Sequence, residues 1–148
     1  MKSAAYLVTV VLGVVALMGC PPIEPCNQID VMDFGAAADG ATDDTAAIQA
    51  ALDAAAADRG GIVFIPKGKY LVEGHLTVPT GVALRGEWEA PHATYEGQGT
   101  LILATGSHGA EDGPPLISLG ASAAVRGVTI YYPNQDPNDI APYPWTIQ

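Results

Sequence analysis

The residues best suited to chemistry lie near the C-terminal end, in Asn134-Gln135-Asp136-Pro137-Asn138-Asp139 followed by Tyr143 and Trp145. Asp136 and Asp139 offer carboxylates, and Tyr143 and Trp145 offer flat rings that can stack on sugar faces, so these four are the candidates for ligand contact. The competing reading is a solvated turn whose aromatic residues serve the core. A second acidic group, Asp39, Asp43 and Asp44, supplies hard oxygen ligands of the kind calcium takes. It lacks calcium-loop spacing and sits directly before a helix pattern, which explains it as turn and cap. His75, His92 and His108 share no metal-ligand spacing, and Ser107-His108 is no triad, because geometry defines one. No residue is assigned a catalytic or metal-binding role.

These side chains need a scaffold, and the apolar pattern describes one. Ile29, Val31 and Phe34 alternate toward Gly35 as a short strand. Asp39-Gly40 and Asp43-Asp44 mark a turn into Ala46 to Asp58, a helical stretch with no internal Gly or Pro. Asp43 or Asp44 would cap that helix with a carboxylate and place negative charge at its positive end. Ile48, Leu52 and Ala55 form its one narrow apolar stripe, and Arg59 with Gly60-Gly61 closes it.

Beyond Gly61 the pattern changes to short runs of β-formers: Ile62 to Ile65, Tyr70 to Val72, Leu76 to Val78, Val82 to Leu84, Leu101 to Leu103, Leu116 to Leu119 and Val125 to Tyr132. Several start just after Gly61, Gly81, Gly99 or Gly127, and the first intervals, roughly 20 residues, are solenoid-like. A β-sandwich also uses short strands, but its half-exposed strands should alternate, whereas Ile62-Val63-Phe64-Ile65 and Leu101-Ile102-Leu103 are continuously apolar. Such strands suit a coil covered from outside, so Ile65→Asp and Leu103→Asp should each abolish folding by burying an unpaired carboxylate. In a parallel coil the first turn has an open lower end, and the alanine-rich helix is placed to cover it.

The N-terminal residues read as an export signal. Lys2 precedes an apolar run from Ala4 to Met18 that ends at Gly19-Cys20, followed by Pro21-Pro22-Ile23-Glu24-Pro25. The run is shorter than the about 20 residues a spanning helix needs, so residues 1–19 read as a cleaved signal peptide. Leu17-Met18-Gly19-Cys20 resembles the bacterial lipobox, which makes Cys20 the lipidation site and the link to a membrane. Residues 20–28 are then a stiff Pro-rich tether. Pro21 stands where such lipoproteins carry an aspartate for inner-membrane retention, which points to the outer membrane or cell surface. Cys26 has no internal disulfide partner after cleavage. The formal charge of −10, more negative still without Lys2, argues against nucleic acid as a partner.

Several spaced segments occur in one order: Asp33-Phe34-Gly35-Ala36, Asp39-Gly40-Ala41-Thr42-Asp43-Asp44-Thr45, Ala46-Ala47-Ile48-Gln49-Ala50-Ala51-Leu52, Gly60-Gly61-Ile62-Val63-Phe64-Ile65-Pro66, Gly68-Lys69-Tyr70, Val82-Ala83-Leu84-Arg85-Gly86-Glu87 and Gly127-Val128-Thr129-Ile130. Together they resemble the pectate lyase superfamily shared by polygalacturonase-like, rhamnogalacturonase-like and phage-tailspike-like proteins. The resemblance implies a mainly β fold over residues 29–148: the early coils of an incomplete right-handed parallel β-helix, with an N-terminal capping α-helix. Ala38 departs from the Gly or Asn usual at its position, and Trp88 stands where another glycine is frequent, marking an atypical loop through Gln98.

The resemblance also implies a surface-anchored parent acting on a polysaccharide of acidic or plant type. In hydrolases of this kind the catalytic aspartates come from mid-solenoid coils, and no position here matches them. The chain therefore reads as the cap and first coils of a longer protein, truncated at the C-terminus and inactive alone. A lyase-type parent would bring calcium and an arginine or lysine base, but Arg85 and Arg126 read as structural or solvent-facing. The rival reading is a non-catalytic glycan-binding or adhesion β-helix. A third is self-association through the last coil, because Pro142 to Gln148 resemble a strand with nothing to shield its edge.

Overall fold

The computed structural model of the protein describes residues 28–88 and 99–148. The signal sequence, Cys20, the tether up to residue 27 with Cys26, and His92 lie outside the described residues, while Gln28, expected to end the tether, opens the first strand.

The described chain runs β1 (Gln28–Asp30), β2 (Asp39–Asp43), α1 (Thr45–Ala57), β3 (Gly61–Ile65), β4 (Gly68–Val72), β5 (Leu76–Val78), β6 (Val82–Gly86), β7 (Thr100–Ala104), β8 (Ile117–Leu119), β9 (Ala124–Arg126) and β10 (Val128–Tyr131). Every ladder between these strands is parallel, and the strands stack in three columns: β1-β3-β6-β9, β2-β4-β7-β10, and β5-β8. Ile147 extends the third column by a parallel bridge to Ile117. Each circuit after the first visits the three columns in turn and climbs one rung, and the fold is a right-handed parallel β-helix.

Register explains the core. Ile29, Val63, Leu84 and Val125 are successive partners up the first column, Tyr70, Ile102 and Ile130 up the second, and Leu76, Ile117 and Ile147 up the third. Stacked at about 4.8 Å, like side chains lie on like and exclude water along the axis. Val63, Leu84, Tyr70, Ile102, Leu76 and Ile117 expose nothing, while Val125 and Ile130 on the highest rung are half-buried. The Tyr70 hydroxyl donates to the Pro66 carbonyl at 2.9 Å, and burial, with Asp30, Asp44 and Glu87 adding, pushes its pKa up to about 12.

The continuously apolar runs do not mean equal cover on both faces, as the sequence suggested. Ile62, Phe64 and Leu103 point outward and are half-buried, whereas Val63, Ile65 and Ile102 point inward and are fully buried. In β3 burial alternates although composition hides it, whereas in β7 Thr100, Leu101 and Ile102 are all buried and only Leu103 is half-buried.

The first circuit has no third strand, and α1 fills its place. Ile48, Ala51, Leu52 and Ala55 face the core from below. Gln49 closes the exposed edge of β5: the Thr77 amide donates to its Oε1 at 2.9 Å, and its Nε2 donates to the Thr77 carbonyl at 3.1 Å. One side-chain amide thus supplies the donor and acceptor that a strand below β5 would offer. Gln49→Ala is expected to lower stability in urea unfolding by about 1–2 kcal/mol. Gln49→Glu should cost at least as much, since a carboxylate cannot donate to the Thr77 carbonyl.

Several local details correct the sequence reading. The strand expected through Phe34 ends at Asp30, whose carboxylate accepts from the Met32 amide at 2.9 Å and starts a 3-10 turn over Val31–Phe34. Asp39–Asp43 is a strand with an irregular register rather than a plain turn. The last apolar run is broken at Gly127 into β9 and β10.

Asp43 and Asp44 also divide their work unexpectedly. Asp44 occupies the helix N-cap position but makes no side-chain bond to the helix. Its buried carboxylate reaches back to accept from the amides of Ala37 at 2.6 Å and Ala38 at 3.2 Å. Those bonds hold Ala38 at φ +56°, the left-handed conformation that the Gly or Asn usual there would take freely. Asp43 does the capping, accepting from the Thr45 amide at 3.0 Å. Desolvation pushes its pKa up, but the Thr45 hydroxyl, the Thr45 amide and the Glu73 amide outweigh it and hold the carboxyl below its ordinary value.

Candidate functional site

The loops that leave the second column grow longer up the solenoid. Between β4 and β5 the link is three residues, Glu73 to His75; between β7 and β8 it spans residues 105–116, and after β10 the chain travels from Tyr132 to Thr146 before rejoining the third column. The two long loops lie against each other. The Gly109 amide donates to the Pro142 carbonyl at 2.9 Å, and the Leu116 and Ile117 amides donate to the Trp145 and Thr146 carbonyls at 3.1 and 3.0 Å. Pro142 and Pro144 restrict the backbone around Tyr143, which favours an extended path for this returning segment.

An aromatic cluster forms where the loops meet. The Tyr132 and Tyr143 ring centres are 4.4 Å apart, and His108 meets Tyr143 edge-on at 5.3 Å and 82°. The Tyr132 hydroxyl is hydrogen-bonded to Thr146 Oγ1 at 2.8 Å, and His108 Nε2 lies 3.2 Å from the Asn134 carbonyl. Beside this cluster opens a cleft of about 360 Å³ lined by Glu111, Tyr143, Pro144, Trp145 and Thr146. Trp145 is 76% exposed, so its ring is available to a ligand. The Tyr143 hydroxyl is shielded and has no hydrogen-bond partner among the described residues. Burial, with Tyr132 adding, raises its pKa, so the phenol keeps its proton at neutral pH and can act only as a donor or neutral acceptor.

Of the four residues singled out from the sequence, the structure brings Tyr143 and Trp145 to one cleft and leaves Asp136 and Asp139 out of its lining. Asp136 Oδ1 accepts from the backbone and side-chain amides of Asn138 at 2.8 and 3.1 Å, and the Asp139 amide donates to the Asp136 carbonyl at 3.1 Å. Gln135 pins the same loop by exchanging two bonds with the Ala141 backbone at 2.9 and 3.0 Å. This segment is a built turn that sets the path of Tyr143. Glu111 carries no signal of its own in the sequence and His108 fits no metal or triad pattern there; what marks both is the length of the loop that carries them.

The acids near the start serve the backbone. Asp39 accepts from the Thr42 amide and the Ala41 amide, each at 2.8 Å, and from the Thr42 hydroxyl at 2.9 Å, which hold its pKa low. Among the described residues no three His, Cys, Asp or Glu side chains are gathered closely enough to hold a metal ion. His75 Nδ1 lies 3.0 Å from the Pro115 carbonyl, a contact between coils. Glu111 is the one carboxylate lining the cleft, whereas glycoside hydrolysis needs two across the scissile bond.

The comparisons with known proteins agree with this architecture. Mannuronan C5-epimerase AlgE3 of Azotobacter vinelandii is 52% identical over 66 residues, covering 40% of this chain and 4% of that protein. Alginate lyase 7 of the same organism is 57% identical over 47 residues, covering 32% of this chain and 6% of that one. Among solved structures, the A-module of the Azotobacter vinelandii mannuronan C-5 epimerase AlgE4 superposes with a TM-score of 0.53 at 29% identity, covering 80% of this chain and 31% of the module. A Geobacillus virus E2 protein, ORF18, gives a TM-score of 0.55 at 26% identity over 76% of this chain and 22% of its own. The chain thus spans a small part of each relative's length. The sequence profile of the rhamnogalacturonase A/epimerase, pectate lyase-like family matches residues 28–115, more than half of the chain, and the protein belongs to that family.

Proposed function

We propose that this chain forms the capped lower end of an exported, surface-anchored β-helix that acts on an anionic polysaccharide of the uronate class. The observation that carries this reading is the meeting of the two long loops, which sets an exposed Trp145 beside Tyr143 and Glu111 at the side of a parallel solenoid. An exposed indole offers a flat stacking face to a sugar ring, with the Tyr143 ring and the Glu111 carboxylate at the same cleft. The uronate class is supported by the names of the relatives, which act on mannuronan and alginate. Export and anchoring are supported by the leader pattern, the lipobox-like Leu17-Met18-Gly19-Cys20 and the proline tether, with Pro21 favouring the outer membrane.

A second reading, a glycan-binding β-helix without catalysis, is favoured by the single carboxylate in the cleft. Both readings require grip, so binding is the first test. Electrophoresis of the full chain through gels containing polygalacturonate should retard it relative to dextran gels. Trp145→Ala is expected to weaken retention about tenfold without altering the far-UV circular dichroism. Equal migration in both gels, or retention untouched by the substitution, overturns the reading. Unsaturated uronate ends appearing on incubation with alginate would favour the enzymatic reading over the binding one.

A further inference from the structure

We infer that the outer face of the β3-β6-β9 column carries a second site, for a carboxylated sugar chain lying along the solenoid axis; the inference rests on the polysaccharide reading above. Arg85 on β6 and Arg126 on β9 are register partners, one rung of about 4.8 Å apart. Both are exposed, and neither guanidinium is ion-paired among the described residues.

This placement works against the fold. Like charges directly opposed on neighbouring strands destabilise a sheet. The chain has only 6 Lys and Arg against 16 Asp and Glu, so two arginines side by side without an acid between them stand out. A bound anion would reverse the sign of the effect. A guanidinium fork matches a carboxylate with two parallel hydrogen bonds, and two forks on successive rungs match two carboxylates carried by a linear polymer.

The neighbours fit the same ligand. On the rung below Arg85, Phe64 lies with its ring centre 6.0 Å from the guanidinium, which steadies the fork over an aromatic face. Ile62, Ala83 and Ala124 are register partners in the adjoining outward column and form a narrow apolar strip beside the arginines. A uronate chain combines the two features, with a carboxylate on each ring and apolar ring faces. Asp30, partner of Phe64 on the lowest rung, ends the positive stretch and bars a further carboxylate below it. The site is on a different sheet from the cleft at Trp145, so the two can be separated by mutation.

The same gel assay on the full chain tests it. R85Q/R126Q is expected to weaken retention by polygalacturonate about tenfold, with dextran gels unaffected. R85K/R126K, which keeps the charge and loses the fork, should weaken it less, and the Trp145→Ala effect should add independently. Retention equal to wild type in R85Q/R126Q, with Trp145→Ala still weakening it, overturns the second site and leaves the cleft standing. If the glutamine pair does not fold, the lysine pair carries the test, and wild-type retention there overturns the site. Retention by polyglutamate gels as strong as by polygalacturonate also overturns it, since no sugar would then be recognised.

Discussion

Ile65→Asp is expected to leave the chain unfolded, whereas Leu103→Asp should fold with a loss of about 1–2 kcal/mol. From the sequence the two positions are equivalent, each ending a continuously apolar run. In the structure Ile65 has no exposed surface and points into the stack beside Val63, while Leu103 faces outward and is half-buried between its partners Leu71 and Tyr131. An aspartate at 65 must be buried unpaired or protonated, at several kcal/mol, and also forfeits the leucine-sized apolar burial. A domain holding only about 5–15 kcal/mol in total cannot absorb that together with the lost packing of four stacked rungs. At 103 the carboxylate can turn to water. Far-UV circular dichroism and urea unfolding of both variants decide it; two equally unfolded proteins would show that the outer face of the second column is as dry as the interior.

Gly127→Ala should cost about 2–4 kcal/mol, and Gly81→Ala only about 1 kcal/mol. Both glycines turn the chain with positive φ, +70° and +75°, so both replacements meet the left-handed penalty. They differ in what lies next to the missing side chain. A Cβ at 127 would come within 2.5 Å of the Gly86 carbonyl oxygen on the rung below, whereas one at 81 meets nothing within 4 Å. The corner between the first and second columns is therefore a backbone-on-backbone stack, and a methyl group there pushes two coils apart. Urea midpoints that fall equally for the two variants would remove the contact and leave backbone conformation as the sole cost.

The solenoid was legible because its strands are short, apolar and set off by glycine, and because α1 is long and uninterrupted. What escaped was whatever depends on the third dimension. Which residue of Ile62-Val63-Phe64-Ile65 faces in is fixed by pairing with Ile29 and Leu84 from distant coils, and no local pattern reveals it. Asp44 was read as a cap because an aspartate before a helix usually is one; its carboxylate instead holds the loop at Ala38, whose amide is closer in space than in habit. Gln49 lies off the apolar stripe of Ile48, Leu52 and Ala55, yet the backbone edge of Thr77 lies beside it. At the cleft, Tyr143 and Trp145 were visible by type, but Glu111 and His108 arrive from a separate loop, and Asp136 is occupied by its own turn.

The helix beneath the first rung also sets a direction for assembly. Synthesis delivers the N-terminal end first, so α1 and the lowest coil can settle before the later strands exist. Each arriving strand then finds a finished ladder edge and an apolar column to copy, and contacts between neighbouring circuits replace a search over distant pairings. Gln49 occupies the lower edge of β5, so a misplaced strand cannot be laid beneath the third column. Winding there runs upward, as a zip does from its stop.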